Sequence, residues 1–559
     1  MSDDVAGGLD EPDQLQPQQG ALALASPEDT WSRADWEKAA AGVLRKSRRL
    51  SDHDPDDAVW AALAHTTYDG IAVPPLGTPD QGTIPVTPRP TRVGSWDVRV
   101  RADDGSDVVS ELERGATSLW VLAEHVAPEE LASFLEGVLL GLAPVVLEGP
   151  TSGHAEALVA LGPLHPDSNL GATDDSDLVA FARLALDAGV RGIVVDGLPV
   201  HEQGASDAQE LGWVLARGAQ VLRTLEDAGI GPEQAVGLVE LRVAVTDEQF
   251  PSIAKLRALR VLWARLAYLC GVPQPRTRVH AVTSRPMTSA YDVHVNLLRT
   301  TVAAFAAGVG GADAVTVVPF DEPTGEISAL GRRLARNISA LLVDESHVAQ
   351  VADPGGGAYA VERLTDDLAH AAWAELGRLE SDGEADFLVR VAEVKARREE
   401  DVAHRRRAVT GLSEFANLAD PVPARRNLSY RYGAAFEALR REAPAARVFL
   451  ATLGPVAQHT VRSRFAANLL AAGGVAVDVA GATDGVDDLL AAYDGQAVVC
   501  VAGTDTAYAE WGSRAASALR EKGARRVIVA GEPTGWADDS CALGVDAVAF
   551  LTRTREALA

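Results

Sequence analysis

Apolar and polar positions along most of the chain follow two alternating periods. Short runs rich in valine and isoleucine precede stretches in which apolar residues recur at helical spacing. The unit between Val190 and Leu225 is the clearest, because a β-branched run ends at Asp196-Gly197 and a helical pattern follows Ser206. Such units build parallel α/β folds, in which functional residues lie in the loops after the strands.

Eight apolar runs predict the strands of one domain. They are Thr117–Ala123, Pro144–Glu148, Glu156–Leu161, Val190–Asp196, Gly237–Val245, Arg278–Ser284, Ala312–Pro319 and Val348–Asp353. Eight strand–helix repeats over about 250 residues are typical of a (β/α)8 TIM barrel. A doubly wound open sheet is the alternative, although it seldom contains so many alternating units in one domain.

A second, shorter alternation begins at Arg447. Four or five apolar runs separated by helical stretches predict a flavodoxin-like doubly wound domain after the barrel. The chain then divides into a disordered polar tail, an N-terminal helical and extended segment, the barrel, a charge-dense helical linker and the flavodoxin-like domain. The boundaries that we predict are 1–28, 29–110, 111–385, 386–445 and 446–559.

Composition excludes several classes of function. The 559 residues carry a net charge of −28, which argues against a nucleic-acid partner because phosphate backbones require a basic surface. No apolar run approaches the roughly 18 residues of a membrane span, and the acidic N-terminus is no secretory signal, so we expect a cytoplasmic protein. Cys270, Cys500 and Cys541 lie far apart in apolar surroundings and are interpreted as core residues, not as a metal site or disulfide framework.

One candidate for chemistry is the loop after the run that ends at Asp196. It contains His201 and Glu202, and catalytic loops of parallel α/β folds occupy this position. A single histidine is weak evidence for a site. We therefore interpret the two residues as a solvated loop pair.

A second candidate is the basic stretch Ile253–Ala264. Its cationic residues, which could bind phosphate groups, are Lys255, Arg257 and Arg260. Their spacing is also that of the solvated face of an amphipathic helix, and we favour this interpretation. The residues expected to face inward are Leu256, Leu259 and Trp263.

Several segments resemble the methylmalonyl-CoA mutase family. Gly197–Ala205 and the following Gln209-Glu210-Leu211 resemble the family's G-Y-H-I-Q-E-A-G-A and Q-E-L, and Arg278–Ser284 resembles its strand R-T-H-x-Q-T-S-G. Ile253–Ala264 and Asp353–Gly357 continue the correspondence. The resemblance implies a barrel followed by a cobalamin-type domain. It also implies an adenosylcobalamin-dependent radical rearrangement between (R)-methylmalonyl-CoA and succinyl-CoA.

Barrel positions on which the family's chemistry depends differ in this chain. The family's catalytic Tyr-His pair falls on Leu198-Pro199, and the tyrosine that lies against the corrin has no counterpart in Thr87–Arg92. Family strands line the barrel axis with small polar residues, which let the acyl-CoA pass. Alternation along the strands here directs Val194 and Val318 inward, so we expect them to fill the axis.

The family's cobalamin-binding loop aligns with Thr452–Val461. Its lysine, aspartate and cobalt-ligating histidine fall on Thr452, Val456 and Gln458. His459 lies one residue late and lacks the aspartate that sets the basicity of a ligating histidine. The resemblance therefore implies a degenerate cobalamin-binding domain.

Taken together, the chain resembles the small subunits of the heterodimeric enzymes in this family. We expect no catalytic, cofactor-binding or metal-binding residue in this chain, and no activity from the chain alone. Adenosylcobalamin and the acyl-CoA are expected on a homologous large subunit, with 29–110 supplying subunit contacts. Two alternatives are a self-sufficient acyl-CoA mutase with atypical site residues and a non-enzymatic regulator or chaperone of a mutase.

Overall fold

The computed structural model describes residues 30–80, 85, 89–103, 105–173, 176–423 and 429–559. These residues form two units. One comprises the described part of 1–66 together with 72–76, and the other comprises 67–71 and the described part of 77–559. The predicted disordered tail, 1–28, lies outside the described residues.

The smaller unit is a pair of helices followed by an antiparallel ribbon. Its elements are α1 (Arg33–Lys46), α2 (Val59–Leu63), β1 (His65–Thr66) and β2 (Ala72–Val73). Ser32 and Asp35 form a capping box, since each side chain accepts a hydrogen bond from the backbone N–H of the other residue. Ala41, Leu44 and Val59 form the buried contact of the unit. Both the cap and this contact support a first helix that would be marginal in isolation.

Eight parallel strands of the larger unit close into a barrel. They are β3 (Asp97–Ala102), β4 (Ser118–Leu122), β5 (Val145–Glu148), β6 (Asn169–Ala172), β7 (Arg191–Asp196), β8 (Val239–Val245), β9 (Val279–Thr283) and β10 (Ala314–Thr316). They neighbour one another in chain order, and β10 closes the barrel against β3. The predicted (β/α)8 barrel is confirmed.

Two of the eight predicted strands are wrong. Glu156–Leu161 belongs to a helix and its end, and Val348–Asp353 contains a 3-10 turn. The strands that occupy their places in the count are β3 and β6, which the apolar pattern did not reveal. In β3 every second residue is charged, and these charges are compensated inside the barrel; β6 is only four residues long and contains a glycine.

Helices surround the barrel, and the outward side chains of the strands pack against them in one continuous apolar core. The helices of this layer are α3 (Val108–Glu113), α4 (Leu131–Phe134), α5 (Ser152–Ala160), α6 (Leu178–Ala188), α7 (Leu198–Glu202), α8 (Asp207–Asp227), α9 (Pro232–Gly237), α10 (Gln249–Leu269), α11 (Val295–Val309), α12 (Ala329–Ala340), α13 (Tyr359–Asp382) and α14 (Glu384–Ala403). The long helices α8, α10 and α13 pack closely together. Ring atoms of Trp263 fill the space at Gly218, where a Cβ atom would clash.

A second parallel sheet follows the barrel. Its elements, with the preceding helix, are α15 (Ala434–Arg441), β11 (Val448–Thr452), α16 (Val456–Ala472), β12 (Val477–Val479), α17 (Val486–Ala492), β13 (Val498–Ala502), α18 (Asp505–Ala507), α19 (Ser513–Glu521), β14 (Arg526–Ala530), β15 (Asp539–Cys541) and α20 (Ala547–Leu558). The strand order β12-β11-β13-β14-β15 is the 2-1-3-4-5 order of flavodoxin-like sheets. The predicted doubly wound domain is confirmed. Among the described helices, none is long and apolar enough to cross a membrane.

Candidate functional site

The barrel lumen contains a ring of apolar side chains. Its buried members are Trp120, Val146, Val194, Leu198, Ala244, Val282 and Val318. Because strand residues alternate between the lumen and the helices, these side chains face the axis while their neighbours pack outward. The expected inward direction of Val194 and Val318 is confirmed, and the ring occupies the space that an axial substrate would need.

Below this ring, toward the beginning of the strands, charged side chains cross the lumen. Arg99 donates to Glu240 Oε1 at 2.6 Å and to Ser118 Oγ at 2.8 Å. Arg278 donates to the second oxygen of Glu240 at 3.3 Å and is also bound to Asp97. Burial alone would raise the pKa of Glu240, but the two guanidinium groups lower it to about 2. We call Arg99, Glu240 and Arg278 the lumen ion cluster.

Above the ion cluster, Arg242 links the two layers. Its guanidinium lies 4.2 Å from the Trp120 ring centroid, donates to Asp196 Oδ2 at 3.0 Å and reaches His280 Nδ1 at 3.2 Å. The other ring nitrogen of His280 lies 2.8 Å from Thr316 Oγ1. Burial and the neighbouring arginine charges lower the pKa of His280 well below its ordinary value, so the imidazole is neutral. Most of these polar groups pair with one another, but Trp120 Nε1 and Arg242 Nη2 have no hydrogen-bond partner among the described residues.

The structure contradicts the solvated position predicted for His201. Its imidazole is buried, with Nε2 2.7 Å from Ser284 Oγ and Nδ1 3.1 Å from Glu210 Oε2. Glu210 also binds Lys255 Nζ at 2.6 Å and accepts from Ala244 N–H at 2.7 Å. A serine–histidine–carboxylate series resembles a nucleophile triad, but Ser284 is only 2% exposed and Glu210 is shared with a lysine. The series holds α7 and α8 to the barrel instead of presenting a nucleophile.

The second residue of the predicted pair, Glu202, remains partly exposed. Its carboxylate lies 3.0 Å from Arg285, which is also 3.0 Å from Glu322. Burial would lower the pKa of Arg285, but the two carboxylates raise it, and the side chain is fully charged. The solvated-pair interpretation is therefore correct only for Glu202, and only in part.

The prediction for the basic residues of α10 is wrong. Lys255, Arg257 and Arg260 are all buried, because α10 is enclosed by α8, α11 and α13. Each of these cations forms ion pairs with acidic side chains. Lys255 binds Asp207 at 2.9 Å and Glu210 at 2.6 Å. Arg257 binds Asp353 at 2.9 Å and Glu362 at 2.6 Å, and Arg260 binds Asp313 at 2.6 Å. The inward positions of Leu256, Leu259 and Trp263 are confirmed. These cations stabilise the helix layer and are not available to a phosphate.

The loop between β11 and α16 does not fit cobalt ligation. Gln458 is exposed, whereas His459 is buried in the first turn of α16 with Nδ1 3.5 Å from Ser463 Oγ. Burial lowers the pKa of His459, and its Nε2 has no hydrogen-bond partner among the described residues. The second ring nitrogen of a metal-ligating histidine almost always donates to a carboxylate, a carbonyl or water. The His459 ring is buried, and the described residues place no carboxylate beside it. Within the described chain, no group of three or more His, Cys, Asp and Glu residues could hold a metal ion.

Comparison with known sequences relates this chain to one protein family. The profile of methylmalonyl-CoA mutase matches residues 176–481. A methylmalonyl-CoA mutase small subunit of Streptomyces virginiae is 39% identical over 95% of this chain and 98% of its own length. That of Propionibacterium freudenreichii subsp. shermanii is 30% identical over 98% of this chain and 97% of its own. The chain belongs to the methylmalonyl-CoA mutase family. The large subunit from the same Propionibacterium is also 30% identical, but over 41% of this chain.

Positions of the family's catalytic pair are occupied by structural residues. Leu198 is part of the apolar ring in the lumen, and Pro199 lies in the first turn of α7. In the segment Thr87–Arg92, residues 87 and 88 lie outside the described part of the chain, and Arg89 donates to Glu362 at 2.6 Å. The side chains of Leu198 and Pro199 contain no group that can donate or accept a proton.

Sequence reasoning missed the lumen ion cluster. The signal that could have revealed it is the alternation of charges at Asp97, Arg99 and Arg101, with Glu240 and Arg242 repeating it in β8. Charges at a period of two in a barrel strand share one face, and only mutual pairing allows that face to be the inner one.

Proposed function

We propose that this chain is the small subunit of a heterodimeric, adenosylcobalamin-dependent methylmalonyl-CoA mutase and has no catalytic role of its own. A homologous large subunit then interconverts (R)-methylmalonyl-CoA and succinyl-CoA and holds the cofactor and the acyl-CoA. The small chain contributes a folded barrel and a surface for the heterodimer.

The observation that carries this proposal is the filled lumen. An acyl-CoA lying along the axis would have to displace the apolar ring and separate Arg99 from Glu240. Separating a buried ion pair without replacing either partner costs about 3–5 kcal/mol. That cost, added to the loss of apolar packing, opposes substrate entry.

Cofactor and partner are assigned to the heterodimer for two reasons. His459 is buried, and its ring has no carboxylate partner among the residues that the structure describes; both observations argue against cobalt ligation by this chain. Relatives that match nearly the whole chain are named small subunits, and in Propionibacterium a large subunit is a separate protein. Both support a division of roles between two chains.

We also propose the division of the chain into a tail (1–28), a contact segment (29–110), the barrel (111–385), a linker (386–445) and a degenerate cobalamin-type domain (446–559). The first barrel strand, β3, lies before residue 111, so the contact segment is continuous with the barrel. In this division 29–110 contributes to the heterodimer surface. We further propose that the chain acts in the cytoplasm together with the large subunit.

Co-expression with a mutase large subunit tests the proposal. The tagged small chain should retain the large subunit in equal amounts through gel filtration, and the pair should convert (R)-methylmalonyl-CoA when adenosylcobalamin is supplied. Small chain alone should give no turnover under the same conditions. Turnover by the small chain alone would indicate a self-sufficient mutase, and loss of the partner during filtration would indicate a transient regulator; either result contradicts the proposal.

A further inference from the structure

A cavity lies at the seam where the barrel closes. β10 pairs with β3 through only two residue pairs, Ala314 with Asp97 and Val315 with Val98. Beyond these pairs the strands line a cavity of about 540 Å³, whose other walls come from α3 and α12. Pockets for small molecules have volumes of about 300–1,000 Å³. The cavity therefore has the size of a ligand site, and it adjoins the lumen, since Arg99 and Val318 also line it.

More cationic than acidic side chains line this cavity. Arg101, Arg114, Arg332 and Arg333 line the cavity. Of these, Arg101 lies 3.7 Å from Glu322, and the other three form no ion pair with any described residue. Arg332 makes one long hydrogen bond, to a backbone carbonyl at 3.4 Å. Three uncompensated guanidinium groups around one cavity stand out in a chain whose net charge is −28.

Acidic residues of the wall have partners within the same wall. Glu111 is bound to Arg336, Glu322 lies 3.0 Å from Arg285, Asp107 accepts from Ser110 N–H at 3.0 Å, and Asp103 accepts from the Ser106 hydroxyl at 2.9 Å. The wall contains seven arginines and only four carboxylates, so cationic charge remains in excess. The cavity therefore favours an anion with more than one negative charge.

Two further features indicate what kind of anion fits. Ser339, which lines the cavity, is 1% exposed, and its hydroxyl has no hydrogen-bond partner among the described residues. Apolar side chains, among them Val317, Ile327 and Leu330, form part of the same wall. The Ser339 hydroxyl can form a hydrogen bond to a ligand, and the apolar side chains can contact an organic group.

We propose that this seam cavity binds a small phosphorylated molecule, with Arg332 and Arg333 as the principal ligands of the phosphate. Guanidinium groups match phosphate oxygens in geometry and remain charged at all physiological pH values. The cavity also lies beside the elements that follow the seventh and eighth barrel strands, where TIM barrels frequently bind phosphate. This site goes beyond the proposed subunit role and does not depend on it.

Calorimetric titration of the full-length protein, in the assembly in which it purifies, tests the site. The probes are inorganic phosphate, pyrophosphate and ADP. The cavity variant is Arg332→Gln/Arg333→Gln, and the matched control is Arg265→Gln/Arg464→Gln, which removes two exposed charges elsewhere. Sites on any partner chain are present in all three proteins and cancel in the comparison.

Pyrophosphate or ADP should bind the unmodified and control proteins saturably and the cavity variant about tenfold or more weakly, since each lost guanidinium contact is charge-assisted. Stronger binding of ADP would place a nucleotide on the apolar wall, and equal binding would assign the site to the phosphate groups alone. In the unmodified protein the bound probe should also slow amide hydrogen exchange in α12. Absence of saturable binding at about millimolar probe, or equal binding by the cavity variant, would overturn the proposal.

Discussion

At the scale of single residues, Glu240 is the acidic residue that Arg99 and Arg278 share in the barrel lumen. It is completely buried and accepts hydrogen bonds from Arg99 and Arg278, two charges that reach it from other strands. A buried ion pair adds little relative to an apolar contact, yet removing one partner leaves the other charge without compensation. The lumen ion cluster therefore fills part of the barrel, and the loss of any one of its charges should destabilise the fold.

Replacing Glu240 by glutamine keeps its shape and removes its charge. We expect Glu240→Gln to lower the free energy of unfolding by about 3–5 kcal/mol, because Arg99 and Arg278 lose their shared partner. Glu136→Gln, at an exposed helix end, should change it by less than about 0.5 kcal/mol. Urea unfolding of both variants measures the difference. Equal stability of Glu240→Gln and the unmodified protein would show that Arg99 and Arg278 do not depend on the charge of Glu240.

Asp69 gives a prediction about pH. Burial and the nearby Asp207 raise the pKa of Asp69 to about 6, above the ordinary value of 3.8. The folded state therefore binds this proton more tightly than the unfolded chain does. The stabilisation is complete below pH 3.8 and is lost as the pH rises through about 6.

The variant Asp69→Asn should escape that loss, because an asparagine side chain cannot ionise. Its advantage over the unmodified protein should be near zero at pH 4 and reach about 2–3 kcal/mol at pH 7. The amide oxygen of the variant can still accept from Ala208 N–H. Unfolding curves at several pH values check the result, and a constant difference between the two proteins would mean that Asp69 titrates normally.

At the scale of elements, α10 is a helix with charges on a buried face. Lys255 is held by Asp207 and Glu210, and Glu210 in turn is bound to His201. An amphipathic pattern predicts that such charges face solvent, because it distinguishes only an apolar inner face from a polar outer face. It does not show that other helices cover the polar face. The error came from the packing of α8, α11 and α13 around α10, which is a tertiary property.

One buried lysine and one exposed arginine in α10 allow the effects of a buried and a solvated charge on stability to be compared. Lys255→Met should destabilise the protein by about 3–5 kcal/mol, since Asp207 and Glu210 remain buried without their cation. Arg265→Gln, on the exposed side of α10, should have an effect of less than about 0.5 kcal/mol. Thermal unfolding measures both. A harmless Lys255→Met would restore the solvated-face interpretation.

Strands that carry β-branched runs could be predicted from the sequence, whereas β3 and β6 could not. The inward charges of β3 find their partners at great sequence distance, for example Arg99 with Glu240, 141 residues away. No local pattern contains such a pairing. In the same way, Ser284 and Glu210 could not be assigned to His201 until the barrel brought β9, α7 and α8 together. By contrast, the differences between Thr452–Val461 and the family's loop motif could be read from the sequence, because the motif lies within ten consecutive residues.

At the scale of the whole molecule, the chain presents apolar side chains to solvent. Leu298, Phe415 and Val461 are among the large apolar residues that are more than half exposed. Obligate heterodimers bury large apolar surfaces, and a chain that lacks its partner leaves them uncovered. Exposed apolar surface is thus consistent with the proposed subunit role.

Purified alone, the chain should self-associate or precipitate at micromolar concentration. Together with the large subunit it should elute as a single heterodimeric species, because the apolar surface is then covered. Gel filtration with light scattering gives the mass in both cases. A monodisperse monomer would contradict an obligate subunit.

The central claim is that the chemistry and its cofactor belong to the large subunit. Corrin bound per purified heterodimer, measured by visible absorption, tests it most directly, with His459→Ala in the small chain as the matched variant. Because His459 is buried and no described carboxylate contacts its ring, both heterodimers should contain a single corrin and have the same turnover. Two corrins in the unmodified heterodimer, with the count falling towards half in the variant, would show that this chain binds cofactor and would contradict the account.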